Sequence, residues 1–225
     1  MERFVRLLPD RADGLTAADV AAAVPDPAPD DRPFLLVNMV ATADGRATIA
    51  GRTGPIANRA DYELFHALRT RVDAVMVGAE TVRVEGYGPL EPAAVLVSRS
   101  LRVPPTVGLL AAPGNRVIVL TPSVRALEPC TARVEYLRAD VADGVRRLRT
   151  ELGLRSVLCE GGPQLLGDLL RAGLVDELHL VIAPKVAGGA DPLTIVTGAA
   201  FDPPAELRLL SLHESGGYLF LRYGA

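Results

Sequence analysis

Between Arg32 and Ile182 the chain alternates short, almost wholly apolar runs with segments of helical periodicity. The runs are Phe34 to Val40, Asp73 to Val77, Ala94 to Val97, Val117 to Leu120, Arg155 to Cys159 and Glu177 to Ile182. Strands this uniformly apolar have no polar face to give to water, so they belong in a parallel sheet covered on both sides. Asn58 is a plausible N-cap for a helix running to about Arg71, with Asp61 supporting the cap and Leu64, Phe65 and Leu68 on one face. A second helix starts near Asp140 and carries Val141, Val145, Leu148 and Leu152 as its apolar stripe. Leu193 to Val196 reads as a further strand. Two alternating segments, Leu207 to Leu212 and Tyr218 to Tyr223, meet around Ser215-Gly216-Gly217 and signal a closing hairpin. The expected fold is α/β: a mostly parallel mixed sheet, helices on both faces and a C-terminal antiparallel hairpin.

Residues 1–30 read as an N-terminal extension, with one helix at Ala17 to Ala23 and a stiff proline-rich linker from Pro25 to Asp30; residues 31–225 form the main domain. A 225-residue chain that is 49% hydrophobic can bury a substantial core. Its 24 basic and 27 acidic residues, net charge -3, make no case for nucleic acid or a membrane surface as partner. No apolar run reaches membrane-spanning length, and the N-terminus lacks the apolar stretch of a signal peptide. With Cys130 and Cys159 far apart, the expectation is a reduced, cytoplasmic protein, Cys159 being a small core residue in a strand. His66 and His179 are expected at the surface or rim and His213 in an edge strand, without a role.

The functional signal is Glu160-Gly161-Gly162-Pro163, where a strand hands over to a helix. Two glycines let the backbone approach a ligand closely, and Pro163 is preset for the first helical turn. A helix start exposes unpaired N–H groups that suit a phosphate. Thr42 to Arg46 and Gly78 to Thr81 also leave strand ends with glycine and a polar neighbour. Three such loops at the carboxyl ends of strands outline a nucleotide-sized cleft.

Four stretches, Asn38 to Thr48, Val75 to Val82, Val157 to Leu166 and Gly173 to Gly189, resemble the reductase domain of the bacterial riboflavin-biosynthesis deaminase/reductase and stand-alone pyrimidine reductases of that type. The resemblance covers about Arg32 to Tyr223. It implies a dihydrofolate-reductase-like fold, a homodimer, and NADPH-dependent hydride transfer to C1′ of 5-amino-6-(5-phosphoribosylamino)uracil or its diaminopyrimidine relative. It further implies that Gly161, Gly162, Pro163, Gln164, Leu165 and Leu166 form the cofactor loop, the Gly161–Gly162 peptide often being cis in this fold. Val40, Pro55, Thr81, Glu85 and Ser98 match cofactor positions. Asn38, Thr53, Arg69 and Glu160 match substrate positions, Arg69 suiting a ribose phosphate. Asp44 lies in the Asp-Gly-Arg loop beside the nicotinamide, and with Asp61 it is a candidate catalytic carboxylate. No metal ligand set is implied.

The chain departs from the family at three places. Asn38 replaces a lysine, Thr42-Ala43 replace serine-leucine, and Gly86 to Glu91 carries no second phosphate-binding arginine. Asp61 followed four residues later by Phe65 resembles the pterin anchor of dihydrofolate reductases, though Asp61 equally suits a helix cap. Thr81 likewise suits a cap, and Arg69 a solvated helix end. A dihydrofolate or pterin-type reductase and a catalytically altered NADP(H)-binding protein are therefore the alternative expectations. A nucleoside-type deaminase is excluded, because the paired Cys-x-x-Cys of such zinc sites is absent.

Overall fold

The computed structural model describes residues 1–22, 29–190 and 193–225. In chain order its elements are β1 (Phe4–Leu8), β2 (Ala12–Leu15), α1 (Ala17–Ala21), β3 (Phe34–Thr42), α2 (Arg59–Arg69), β4 (Ala74–Gly78), α3 (Ala79–Glu85), β5 (Ala93–Val97), α4 (Gly108–Ala111), β6 (Arg116–Thr121), β7 (Arg133–Arg138), α5 (Val141–Thr150), β8 (Ser156–Cys159), α6 (Pro163–Arg171), β9 (Glu177–Ala183), β10 (Arg208–Ser215) and β11 (Tyr218–Gly224). All strands join one sheet in the order β2-β1-β10-β11-β9-β3-β8-β4-β5-β6-β7. From β9 to β7 neighbours run parallel; β11, β10, β1 and β2 continue the sheet antiparallel.

Each predicted apolar run became a parallel strand because each has a helical layer on both sides. α5 and α6 cover one face, where Val145, Leu148, Leu166 and Leu169 pack on Leu35, Val37, Met76 and Val157. α1 and α2 cover the other near the middle, with Leu64 and Leu68 against Leu36 and Leu158. α3 and α4 extend that second layer over β5 and β6. Local signals set the helix starts. Asn58 Oδ1 accepts the Asp61 amide at 2.9 Å, Asp140 Oδ1 accepts the Asp143 amide at 2.9 Å, and Pro163 opens α6.

The topology creates a crevice. After β3 and β4 the chain leaves to the α2 and α3 face; after β8, which lies between them, it leaves to the α6 face. Chains diverging to opposite faces open a gap beyond the carboxyl ends of the strands.

Several expectations need correction. Leu193 to Val196 is not a strand. It runs irregularly beside α6, the Thr197 amide donating to the Pro163 carbonyl at 3.2 Å, and Ile195 and Val196 bury themselves on the core instead of pairing. Gly78 to Thr81, read as a loop, instead opens the helix α3, whose N-cap Gly78 is the last residue of β4. His179 and His213 are buried, and β10 is internal because β1 pairs outside it; His66 is exposed as expected. The N-terminal extension contributes two strands to the main sheet, and Phe4 meets Phe220 edge-on at 5.0 Å in the core. The expected helix near Ala17 is α1, closed by a Thr16–Asp19 capping box. Ala23 and the linker residues Pro25, Asp26, Pro27 and Ala28 lie outside the described residues.

Gly167 of α6 faces this irregular segment, and a Cβ there would overlap the Thr197 carbonyl oxygen. Alanine improves helix propensity by about 1 kcal/mol, yet displacing backbone costs more, about 1–3 kcal/mol. Gly167→Ala is therefore expected to lower stability in a urea titration and to expose residues 193–199 to limited proteolysis.

Candidate active site

Backbone bonds stitch the ends of β8 and β4 together at the crevice. The Glu160 amide donates to the Met76 carbonyl at 2.9 Å, and the Gly78 amide donates to the Gly161 carbonyl at 2.8 Å. The Gly161–Gly162 peptide is cis, as the resemblance implies, and Gly161 has φ of 84°. Side chains crowd both glycines: a Cβ on Gly161 would lie 3.1 Å from Met39 Sδ, and one on Gly162 3.0 Å from Thr81 Oγ1. The loop thus threads between β3 and α3 only because it has no side chains.

Gly162 then caps α6 without any side-chain hydrogen bond. The Leu166 amide is already taken by the Gly162 carbonyl at 3.0 Å, whereas the Gln164 and Leu165 amides have no partner among the described residues. Leu165 and Leu166 themselves point into the core. Of the expected cofactor loop, backbone N–H groups at Gln164 and Leu165 are what remains to meet a phosphate.

On the α2 side of the same crevice lies a buried ionic cluster. Asn38 and Glu160 directly follow the paired Val37 and Cys159 on adjacent strands. Glu160, with a side chain only 2% exposed, accepts Arg69 Nε at 2.7 Å on Oε1 and Arg69 Nη2 at 2.8 Å on Oε2. The Tyr87 hydroxyl donates to Oε2 at 2.6 Å. Arg69 stacks on Phe65, 4.0 Å from the ring centroid. Burial opposes the Arg69 cation, but the Glu160 carboxylate outweighs it and the guanidinium sits above its ordinary pKa. Arg69 Nη1 makes no bond within the described protein, so a donor edge is left over. Asn38 Oδ1 is buried without a partner. Sequence reasoning found Arg69, Glu160 and Asn38 but missed Tyr87, whose only signal was an aromatic residue between two glycines in the segment that departs from the family.

The other expected site residues divide. Thr81 borders the glycine loop, and Val40 lies on β3 against the α2 cluster. Glu85 Oε1 accepts the Thr53 amide at 2.9 Å, which ties α3 to the loop after β3. Ser98 is buried and its Oγ accepts the Leu101 amide at 2.9 Å. Pro55 is exposed, its carbonyl accepting Lys185 Nζ at 2.7 Å. Asp44 is occupied by its own surroundings: Thr42 Oγ1 donates to it, as do the Gly188 amide at 2.7 Å and the Ala187 amide at 3.1 Å. Those donors, the Thr42 hydroxyl foremost, pull its pKa down to about 2. Such a carboxylate anchors the loop after β9 and holds no proton near neutrality, which argues against Asp44 as an acid. Asp61 is the opposite case. It is 8% exposed, its carboxylate has no hydrogen bond among the described residues, and burial pushes its pKa up to about 6. Among the described residues no cluster of histidine, cysteine, aspartate or glutamate could hold a metal ion, and no helix is long and apolar enough to cross a membrane.

Residues 33–220 match the RibD C-terminal domain family. The chain belongs to that family. Within it, the 2,5-diamino-6-ribosylamino-4(3H)-pyrimidinone 5′-phosphate reductase of Methanothermobacter thermautotrophicus is 31% identical over 202 residues, covering 82% of this chain and 93% of that protein. The riboflavin biosynthesis protein RibD of Actinobacillus pleuropneumoniae is 28% identical over 216 residues, of which the match spans 57% of its length. A crystal structure of a pyrimidine reductase-like protein from Corynebacterium diphtheriae superposes with a TM-score of 0.76 at 25% identity, covering 93% of this chain and 98% of that one. The family match starts at residue 33, after β1, β2 and α1.

The folded pKa of Asp61, about 6, lies above the unfolded value near 3.8, so the native state binds its proton more tightly. Stability therefore falls as pH rises from about 4 to 6, by about 2–3 kcal/mol in all. Asp61→Asn is expected to be the more stable protein at pH 7.5 and to lose that advantage below pH 4, as thermal melts across pH would record.

Proposed function

We propose that this chain is a riboflavin-pathway pyrimidine reductase, reducing a phosphoribosylaminopyrimidine of the 5-amino-6-(5-phosphoribosylamino)uracil type at C1′ of the sugar with NADPH. The observation that carries the reading is that one crevice holds both an uncapped helix start and a buried Arg69–Glu160 pair with a spare donor edge. The names of its relatives point the same way.

The residues fit a dinucleotide cofactor. The Gln164 and Leu165 amides would hold the pyrophosphate, and Gly161 and Gly162 leave room for it to lie against backbone. Arg83 is committed to Glu80 and to the Arg102 carbonyl, which leaves exposed Arg99, next to Ser98 at the end of β5, to read a 2′-phosphate. When bound, the reduced nicotinamide supplies the hydride. The protein's part is placement. Arg69 Nη1 receives the anionic end of the substrate and the Asn38 amide meets the aminopyrimidine, while the buried Glu160 carboxylate holds the guanidinium in place.

A second copy is expected on the open face of the terminal strands. There Leu180, Ile182, Leu212, Leu219 and Leu221 share one side of β9, β10 and β11, and Leu219 is 37% exposed. Soluble substrates and cofactor place the reaction in the cytoplasm. The pterin alternative gains nothing from the relatives, whose names are those of ribosylaminopyrimidine and riboflavin-pathway enzymes.

Two experiments test this. Purified protein is expected to oxidise NADPH on addition of the phosphoribosylaminopyrimidine but not dihydrofolate, and Arg69→Ala to lower kcat/KM by about a hundredfold; oxidation with dihydrofolate alone would overturn the assignment. Light scattering is expected to give a dimer, and Leu219→Arg with Leu221→Glu a monomer.

A further inference from the structure

We propose that Tyr87 is a positioning residue for substrate binding, acting through Glu160 on the Arg69 guanidinium; the inference rests on the function proposed above. Glu160 is gripped from two directions. Arg69 reaches it from the end of α2, with two parallel N–H···O bonds. Tyr87 reaches it from the loop between α3 and β5, with a third bond at 2.6 Å. A bidentate pair alone can pivot as a unit, because its two bonds share one plane. A donor from a different element removes that freedom.

Tyr87 is itself held by backbone. Its carbonyl accepts the Leu109 amide at 2.8 Å. Gly108, at the start of α4, approaches so closely that a Cβ there would lie 3.0 Å from the Tyr87 carbonyl oxygen and 3.0 Å from Gly88 Cα. The backbone at Tyr87 is thus tied to α4, which packs over β5 and β6. The Tyr87 ring also lies near Arg69, 5.6 Å from centroid to guanidinium carbon, farther than the Phe65 ring at 4.0 Å. Burial, and then the Glu160 charge, push the phenol pKa well above its ordinary value, so the hydroxyl remains a donor at any physiological pH.

The consequence concerns Arg69. Its Nε and Nη2 are spent on Glu160, and Nη1 is left for a ligand. That donor is only as well aimed as the carboxylate that holds the guanidinium. A pre-oriented donor spares the ordering cost on binding, so loosening it weakens substrate affinity before it slows chemistry.

The test compares wild type, Tyr87→Phe, Glu160→Gln and the double variant. Steady-state kinetics would be run with the phosphoribosylaminopyrimidine and NADPH, and calorimetric titration with the phosphoribosylaminopyrimidine. Tyr87→Phe alone is expected to raise the pyrimidine KM and Kd about tenfold, with kcat and the NADPH KM changed less than about twofold. In the Glu160→Gln background the same change is expected to add less than about twofold, because the shared partner is already altered. Full multiplication of the two effects, equal damage to the NADPH KM, or a lowered Tm with unchanged pyrimidine Kd would each overturn the role of Tyr87. A wild type that binds the pyrimidine, with this coupling, but does not reduce it would overturn the assigned reaction while supporting Tyr87. A wild type that neither binds nor reduces it would overturn both.

Discussion

A carboxylate buried at the end of an apolar strand must have its charge met, and at Glu160 that requirement organises the crevice. An unpaired buried carboxylate is far more costly than a paired one. Meeting the charge draws in Arg69 from α2 and Tyr87 from the loop after α3. The next two residues are then constrained as well, because the Glu160 amide and the Gly161 carbonyl are bonded to β4 on either side of the same corner. The first turn of α6 follows directly. Electrostatic placement of one side chain and backbone placement of the glycine loop are therefore one arrangement seen from two sides of β8.

The three acidic residues around the crevice show how far environment, not residue type, sets behaviour. Asp44 is surrounded by donors and lies near pKa 2. Asp61 has none and lies near 6. Glu160 has an arginine and a phenol. Asp44 follows β3, Asp61 lies in the first turn of α2 and Glu160 follows β8, and only their surroundings in the fold separate them.

What could be read from the residues was whatever depends on local pattern. The six apolar runs, the Asn58 and Asp140 caps, Pro163 at the start of α6 and the Gly216-Gly217 turn all carry their signal within a few positions. What could not be read depends on distant partners. Leu193 to Val196 has a strand's composition but finds its apolar contacts beside α6, and Arg133 to Arg138 is a charged edge strand whose alternation, Arg133-Val134-Glu135-Tyr136, spans only four residues. Phe4 looks like part of a loose terminus until Phe220, more than two hundred residues away, supplies its partner. In the site, Arg69, Glu160 and the glycines were legible because they sit in matching motifs. Tyr87 was not, because its importance comes from a bond across seventy-three residues of chain.

The position of β1 has a consequence in time. It pairs with β2 on one side and with β10, Arg6 opposite His213, on the other, so the β1–β2 hairpin can form early but cannot join the sheet until β10 has been made. Among the parallel strands, β5, β6, β7 and β8 each meet a partner already synthesised. Closing so long a loop costs little more than closing a moderate one, but it cannot begin early. The β1–β2 hairpin must therefore wait undocked until β10 is made, with one edge of β1 unpaired.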